Sequence, residues 1–213
     1  GVKDEPQHVK QGRVTLEQLR VLEIPHWVLD AQSNVADTLD AAFASMKQRN
    51  APVALVVRKN TFTNYKSQNA RVETFSLDRE MALDHLLQLC RGDDLIISTT
   101  GKTSREVFEL RAKHGQHQRD FLTVGGMGHA SSIALGVAIG QPNRRVVCLD
   151  GDGSLIMHMG AMPVIANFKP KHFFHVLLNN GTHESVGGQA TSAGLIDFEK
   201  LADAVGYVGY AMA

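Results

Sequence analysis

Two apolar segments of this sequence each run into a short polar motif, and their spacing restricts how the chain can fold. The segment Val-Val-Cys-Leu at 146–149 leads to Gly-Asp-Gly-Ser at 151–154, and Phe-Phe-His-Val-Leu-Leu at 173–178 leads to Asn-Asn-Gly-Thr at 179–182. Residues 155–168, between them, have the length of a helix. Two buried strands connected by a helix form a βαβ unit, in which the strands are parallel. The sequence therefore predicts both motifs at the carboxyl ends of two parallel strands, where open α/β sheets bind ligands.

The rest of the chain continues the alternation of strands and helices that is typical of a parallel α/β fold. Apolar runs predict strands at 27–29, 53–57 and 94–98, and a strand or an extended entry at 121–124. Helices are predicted at 16–24, 35–48, 79–90, 103–114, 130–140 and 198–205, with a new strand after 205. We expect a doubly wound parallel sheet over 76–213. A polar linker is predicted over 59–75, and residues 1–58 are interpreted as the end of another α/β domain.

Two helix starts carry capping signals. Asn34, with Asp37 three residues later, predicts the N-cap of the helix at 35–48. Thr103, with Glu106 three residues later, predicts a capping box for the helix at 103–114. Both signals place a helix shortly after a predicted strand.

The composition excludes several kinds of partner. The 213 residues include 22 lysines and arginines and 22 aspartates and glutamates, so nothing favours a nucleic acid or an anionic membrane as partner. No apolar run reaches the roughly 18 residues of a transmembrane helix, and the N-terminus lacks the apolar core of a signal peptide. Cys90 and Cys148 lie in apolar segments, which predicts buried, reduced thiols in a cytoplasmic protein.

Three glycine-containing turns are predicted at one edge of the sheet of 76–213. Each follows a strand and precedes a helix, and they are Thr99-Thr100-Gly101-Lys102, Gly125-Gly126-Met127-Gly128-His129 and Gly151-Asp152-Gly153-Ser154. Glycine leaves backbone N–H groups accessible to a phosphate. Carboxylate and carbonyl oxygens, such as those of Asp152 and Asn180, suit Mg²⁺ or Ca²⁺. The sequence therefore predicts a site for a phosphate-bearing ligand and a hard cation.

Two nucleotide-binding motifs are incomplete. Gly101-Lys102-Thr103 resembles the end of a P-loop, but the first glycine of that motif would fall on Ile96. Gly126 and Gly128 begin a dinucleotide-binding pattern whose last position is Ser131, and no acidic residue follows at the expected distance. We reject a nucleoside triphosphate site, and a dinucleotide-dependent oxidoreductase is the weaker alternative.

The paired motifs resemble the diphosphate-binding signature of thiamine-diphosphate enzymes, in which GDG is followed at some distance by NN. Asp152 and the second asparagine, Asn180, are 28 positions apart here, and the resemblance covers residues 76–213. It implies that Asp152, Asn180 and the carbonyl of Thr182 hold Mg²⁺. It also implies that the N–H groups of Gly153 and Ser154 bind the diphosphate of thiamine diphosphate.

The other loops fit the same resemblance. Thr99, Thr100 and Gly101 are expected at the terminal phosphate, Met127 at the wedge that bends the cofactor, and the Gly125 carbonyl at the pyrimidine amine, with Gly126, Gly128 and Gly151 completing the cofactor-binding loops. His183 and His129 directly follow the metal turn and the wedge loop. They are the candidate catalytic residues. Residues 184–189 are expected to form a mobile loop over the site.

The sequences of the loops resemble one subfamily more specifically. Residues 99–106, 125–132 and 179–189 are similar to phosphonopyruvate decarboxylases, which implies a magnesium-dependent lyase of phosphonate metabolism that converts phosphonopyruvate to phosphonoacetaldehyde and CO₂. Sulfopyruvate decarboxylases are the alternative. Either 2-oxo acid carries a second anionic group, for which Lys102, Arg105 and protonated His183 are candidate cations. Simple surface solvation of the lysine and the arginine stays equally open.

One part of the implied active site is missing from the sequence. In this family a glutamate from the earlier half of the pyrimidine-binding domain hydrogen-bonds the cofactor ring, and neither Glu17 nor Glu23 has its motif context. We expect the chain to be a fragment that is inactive alone. The resemblance also implies a homo-oligomer with the active site shared between chains. A cofactor-binding module without catalysis is the second hypothesis.

Overall fold

The computed structural model describes residues 8–65 and 76–212. The chain divides into two compact units, residues 1–69 and 70–213. The division falls inside the segment 59–75, for which a linker is predicted, and residues 66–75 of that segment lie outside the described residues. Each unit has its own parallel sheet. None of the helices in the described ranges combines the length and the apolarity that crossing a bilayer requires.

The first unit is a small α/β layer. Its elements are α1 (Val9–Val21), β1 (His26–Leu29), α2 (Val35–Arg49) and β2 (Ala54–Val57). The two strands pair in parallel, with Val28 beside Val56. Asn34 caps α2 as the sequence predicts, because its side-chain oxygen accepts a hydrogen bond from the Asp37 N–H at 3.3 Å.

The second unit is built on a four-stranded parallel sheet. Its elements are α3 (Arg79–Leu89), β3 (Leu95–Ser98), α4 (Lys102–Lys113), β4 (Phe121–Leu122), α5 (Ala130–Gly140), β5 (Val146–Gly151), α6 (Asp152–Met157), α7 (Ala161–Phe168), β6 (Phe173–Leu178), β7 (Thr182–His183), β8 (Gln189–Ala190) and α8 (Phe198–Val205). The strand order is β4-β3-β5-β6. β7 and β8 form a separate antiparallel pair. The bounds of α5, β6 and α8 are those that the sequence predicts.

Helices cover both faces of the main sheet. Because side chains alternate along a strand, neighbouring residues of β3 and β5 enter different cores. One core joins the sheet to α3 and α4 and contains Leu83, Leu87, Ile96, Val107, Leu110, Val147 and Leu149; the other joins it to α5 and contains Ile97, Ala130, Ala134, Ala138, Val146 and Cys148. Each fully buried aliphatic side chain contributes roughly 1.5–3 kcal/mol. The doubly wound parallel α/β fold is confirmed.

The helix predicted over 155–168 is divided into α6 and α7. The break falls at residues 158–160, where His158 leaves helical geometry with φ −136° and ψ 45°. Gly160 weakens helix there. Pro163 lies in the first turn of α7, where its missing N–H costs no helical bond, whereas in one long helix it would leave the Met159 carbonyl unpaired. The length of the segment therefore predicts helix correctly, but Gly160 and Pro163 divide it in two.

Several smaller predictions are wrong. α4 begins at Lys102 after an N-cap at Gly101 with φ 94°, so Thr103 lies inside the helix and forms no capping box. The first helix is Val9–Val21 instead of 16–24. Of the segment 121–124, predicted as a strand or an extended entry, Phe121 and Leu122 form the strand β4. No strand follows α8 within the described residues up to 212. Cys90 is half-buried, although Cys148 is fully buried as expected.

Candidate functional site

The parallel register brings the three predicted loops to one edge of the sheet. Gly151 at the end of β5 lies beside Leu178 at the end of β6, so the GDG and NN motifs leave the sheet next to each other. On the other side of β5, Leu149 lies beside Ser98, the last residue of β3. The strand order, which sequence alone does not determine, therefore places the GDG loop that follows β5 between the loop that follows β3 and the NN turn that follows β6.

Asp152 is the most deeply buried of the predicted metal ligands. It is 2% exposed and accepts a hydrogen bond from the Thr191 hydroxyl. Thr191 also donates its N–H to the Gly181 carbonyl at 2.8 Å, and so connects the two motifs. Within the described ranges, no lysine, arginine or histidine forms an ion pair with Asp152. Thr191 was not singled out from the sequence, because no motif marks a lone threonine after a glycine-containing loop.

The asparagines shape the turn after β6. The side-chain oxygen of Asn179 accepts the Gly181 N–H at 3.1 Å, and that of Asn180 accepts the Thr182 N–H at 3.1 Å. Asparagine favours such local turns. The Asn180 amide nitrogen lies 3.5 Å from Glu184. The turn thus holds Asn180 and Thr182 at the edge of the sheet beside the GDG motif.

Gly153 and His183 are in close contact. A Cβ atom added at Gly153 would lie 2.5 Å from Cε1 and 2.8 Å from Nδ1 of His183, and 3.3 Å from the Thr191 methyl group. Any side chain at position 153 would therefore displace the imidazole. The structure therefore places the ring of this predicted catalytic histidine directly beside Gly153 of the GDG motif.

The loops that follow β3 and β4 are connected to each other. The Thr100 hydroxyl accepts the Gly125 N–H at 2.9 Å, and the Thr99 hydroxyl donates to the Ser154 hydroxyl at 2.9 Å. Thr99 is 5% exposed, and its carbonyl accepts the Ser104 hydroxyl at 2.7 Å. The Thr99 side chain therefore faces the protein interior, whereas Thr100 is only partly buried.

Met127 and His129 lie in the loop after β4. Met127 is half-buried, and the His129 side chain is exposed. The His129 Nδ1 atom lies 3.1 Å from the Gly126 carbonyl oxygen and 3.2 Å from that of Met127. Its ring packs edge-on against His158, with ring centroids 4.8 Å apart. The described hydrogen bonds connect His129 to its own loop and not to His183 or Asp152.

Glu184 neutralises one of the predicted substrate cations. Its carboxylate pairs with Lys102 and, at 2.6 Å, with Arg79, and these two contacts lower its pKa. Arg79 also makes a two-bond contact with Glu106, at 2.6 and 2.7 Å, which raises the pKa of Arg79. The segment after β7 is thereby attached to α3 and α4. Lys102 already has a protein partner in this arrangement.

A buried polar network lies directly beneath the GDG motif. Asp150 is fully buried; its Oδ1 accepts the Gly151 N–H at 3.0 Å, and its Oδ2 lies 3.3 Å from Nε2 of His175. The other ring nitrogen of His175 lies 3.0 Å from the Tyr207 hydroxyl. Burial, followed by the nearby Cys148 and Asp150, raises the pKa of Tyr207, and burial raises the pKa of Cys148 well above its usual value.

This network was missed in the sequence. Metal-ligating atoms of Cys148, Asp150 and His175 lie within 4.8 Å of one another. However, both oxygens of Asp150 and both nitrogens of His175 have protein partners, so we interpret the group as a hydrogen-bonded support for Gly151. The usable signal is a histidine inside an otherwise apolar strand, paired in register with Cys148.

The family comparison agrees with this geometry. Residues 99–213 match the family model described as "Thiamine pyrophosphate enzyme, C-terminal TPP binding domain". The matched range contains all three loops of the site together with the NN turn. The chain belongs to this family of thiamine pyrophosphate enzymes.

Relatives of known function cover most of the chain. The phosphonopyruvate decarboxylase of Streptomyces viridochromogenes is 34% identical over 97% of this chain and 55% of its own length, and that of Streptomyces hygroscopicus is 34% identical over 97% and 54%. The sulfopyruvate decarboxylase subunit beta of Methanothermobacter thermautotrophicus is 38% identical over 62% of this chain and 68% of its own length. The chain spans about half the length of the two phosphonopyruvate decarboxylases.

Proposed function

We propose that the chain is the cofactor-binding part of a thiamine-diphosphate- and Mg²⁺-dependent decarboxylase that converts phosphonopyruvate to phosphonoacetaldehyde and CO₂. The observation that carries the proposal is the convergence of three glycine-containing loops beside the buried carboxylate of Asp152. Membership of the thiamine pyrophosphate family supports the cofactor. The two relatives matched over 97% of the chain are both named phosphonopyruvate decarboxylases, which supports the substrate.

The residues fit a magnesium diphosphate. Asp152 is 2% exposed, and among the described residues its side chain has a hydroxyl as its only hydrogen-bond partner; such a buried carboxylate is stabilised by a cation. Mg²⁺ is usually held by one or two carboxylates and by phosphate oxygens. In the loop after β4, Gly125 and Gly126 have positive φ angles of 78° and 60°, and nothing lies within 4 Å of a Cβ atom added at either residue. The site therefore offers both a ligand for a hard cation and open space beside two glycines, where no Cβ atom blocks the approach of a ligand.

The main predicted residues have separate tasks in this proposal. Asp152, Asn180 and the Thr182 carbonyl hold the metal ion, and Thr100, Gly101 and the N–H groups of Gly153 and Ser154 bind the diphosphate. Met127 supports the bent cofactor, which supplies the electron sink for decarboxylation when bound. His183 is proposed to hold a proton close to the reacting atoms. His129 belongs to the loop of Met127 and has the weaker geometric support.

Assembly and location are also proposed. We infer that a second chain completes the active site, and the relative named as a beta subunit supports an enzyme of several subunits. Both cysteines are free thiols, which supports a cytoplasmic protein. Sulfopyruvate is the second candidate substrate, because the subunit beta of a sulfopyruvate decarboxylase is 38% identical.

Calorimetry on the full-length gene product tests the cofactor assignment. Thiamine diphosphate should bind only when Mg²⁺ is present, and Asp152→Ala should weaken binding by at least about 100-fold, since outer-sphere partners alone contribute roughly 10- to 100-fold. Asp203→Ala, which removes an exposed carboxylate of α8, is the matched control and should bind normally. Unchanged binding in Asp152→Ala would exclude the proposed metal site.

Substrate turnover tests the reaction separately. CO₂ release is measured with phosphonopyruvate, sulfopyruvate and pyruvate at equal concentration. Phosphonopyruvate should give the highest kcat/KM. A preference for sulfopyruvate selects the second candidate, and turnover of pyruvate alone contradicts both.

A further inference from the structure

The Ser154 hydroxyl is a junction between three loops. It is 1% exposed; it accepts the Thr99 hydroxyl at 2.9 Å and the Gly128 N–H at 3.1 Å. These partners belong to the loops after β3 and β4, and Ser154 itself follows β5. The sequence singles out Ser154 for its backbone N–H, and the side chain performs a different task.

The same contacts fix the loop of Met127 at both ends. Gly125 donates its N–H to Thr100 at 2.9 Å, and Gly128 donates its N–H to Ser154. Gly128 has φ 90°, and an added Cβ atom would lie 3.2 Å from the Ser154 carbonyl oxygen. The loop thus lies directly on the first turn of α6. Met127 is one residue away from the anchored Gly128.

We propose that Ser154 is a positioning residue, and that its hydroxyl fixes the position of Met127 relative to the bound cofactor. This role rests on the proposed function, since it requires Met127 to support bound thiamine diphosphate. The hydroxyl faces Thr99 and Gly128 in the interior, so the backbone N–H of Ser154 is left for the diphosphate. Losing the hydroxyl should therefore affect the orientation of the cofactor more than its binding.

Amide exchange tests the anchor without any cofactor. In Ser154→Ala, the buried Gly128 N–H loses its acceptor and should exchange at least about tenfold faster, because it opens to solvent more often. Ser131→Ala is the matched control: Ser131 is also buried, at 4% exposed, and the described contacts do not place its hydroxyl between two loops. Unchanged exchange of Gly128 in Ser154→Ala would overturn the proposal.

Kinetics on the protein as its gene encodes it test the positioning role. Ser154→Ala should lower kcat by roughly 10- to 100-fold, the order of effect that misplaced reacting groups produce, while the Kd for thiamine diphosphate changes by less than about threefold because the N–H is kept. Thr99→Val, which leaves the Gly128–Ser154 bond intact, should lose clearly less activity. A changed Kd with normal kcat would overturn the proposal by making the hydroxyl a binding contact.

Two further outcomes separate this proposal from the function itself. Equal losses in Thr99→Val and Ser154→Ala would assign the effect to the bond between these two side chains and overturn the role of Gly128. Failure of the unsubstituted protein to bind thiamine diphosphate would overturn the proposed function and with it the role of Met127. Faster Gly128 exchange in Ser154→Ala would then still show that the anchor exists.

Discussion

The two strands that carry the predicted metal ligands end in contrasting environments. At the end of β5 and in the first turn that follows it, Asp150, Asp152 and Ser154 are each at most 2% exposed, and each has a side-chain contact with another element or loop. Beyond the end of β6, Asn179 is exposed, and Glu184, 42% exposed, is held by ion pairs. One half of the site is part of the core, and the other half is a surface turn.

This contrast suggests different tasks for the two halves. Buried polar groups are costly unless every partner is present, so the β5 half has one well-defined geometry. Exposed ion pairs contribute little and are screened by salt, so the β6 half can adjust at low cost. We infer that the β5 half fixes the cofactor and that the β6 half can adapt to the substrate. Substitutions should therefore lower stability far more in the first half than in the second.

The largest effect is expected for His175→Leu, which removes the partner of Asp150. The buried Asp150 would keep the Gly151 N–H but lose its partner at Oδ2, and the Tyr207 hydroxyl would lose its partner as well, so the free energy of unfolding should fall by about 3–5 kcal/mol. Tyr207→Phe, which loses one hydrogen bond, should cost about 1 kcal/mol. Urea denaturation measures both. His172→Leu, at an exposed histidine, is the control, and a similar loss there would contradict the special role of the buried network.

A second large effect is expected at alkaline pH. The folded protein raises the pKa of Cys148 above the ordinary 9.0 and that of Tyr207 above the ordinary 10.0. As pH rises through these ordinary values, the unfolded chain loses its protons first. Stability should therefore fall with pH, by at most about 1.4 kcal/mol per pH unit for each group. Denaturation midpoints between pH 8 and 11, at roughly half-unit steps, measure the slope.

Substitution separates the two groups from a general alkaline effect. Tyr207→Phe should make the alkaline slope shallower, because one buried titrating group is gone. Tyr65→Phe is the matched control, since Tyr65 is 85% exposed. An equal slope in all three proteins would exclude Tyr207 as a source.

The sequence predicts the ordered parts of the fold well, because they depend on local patterns. The apolar run of β6 and the small-residue pattern of α5 give the observed bounds, and Asn34 caps α2 through the predicted bond. The segment of α6 and α7 is predicted as one helix from its length alone. Gly160 and Pro163 decide the break there, so that prediction is wrong.

The sequence predicts site residues only where they belong to a recognisable motif. Glycines, Asp152 and Asn180 are recognised from their spacing, but the partners that hold them are distant in sequence. Thr191 reaches Asp152 from 39 residues away, and His175 reaches Asp150 from 25 residues away. Such pairs depend on strand order and register, which the apolar pattern of one sequence does not determine. His175 lies within the apolar run 173–178, and Asp150 lies between the run 146–149 and the GDG motif, so no motif marks either residue.

A smaller effect is expected for Gly153→Ala, which tests the contact between the two halves. The added methyl group would lie 2.5 Å from Cε1 of the His183 ring. A side-chain ring can move aside more easily than backbone atoms can. Stability should fall by about 1 kcal/mol, the low end for overpacking, while the NMR signal of the His183 Cε1 proton shifts. Gly194→Ala, where a Cβ atom meets nothing within 4 Å, is the control. An unmoved His183 signal with a loss above about 3 kcal/mol would show that the β6 half is as rigid as the β5 half.

The smallest effect is expected for Glu184→Gln, which removes the charge that attaches the β6 half to Lys102 and Arg79. Exposed ion pairs contribute about 0.2–1 kcal/mol each, so stability should fall by roughly that amount. The difference should vanish near 1 M salt, where the screening length is about 3 Å. Glu199→Gln on α8 is the control for losing an exposed charge. A loss above about 2 kcal/mol that persists in high salt would mean that these pairs act as a rigid clamp, and the proposed division between a fixed and an adaptable half would be wrong.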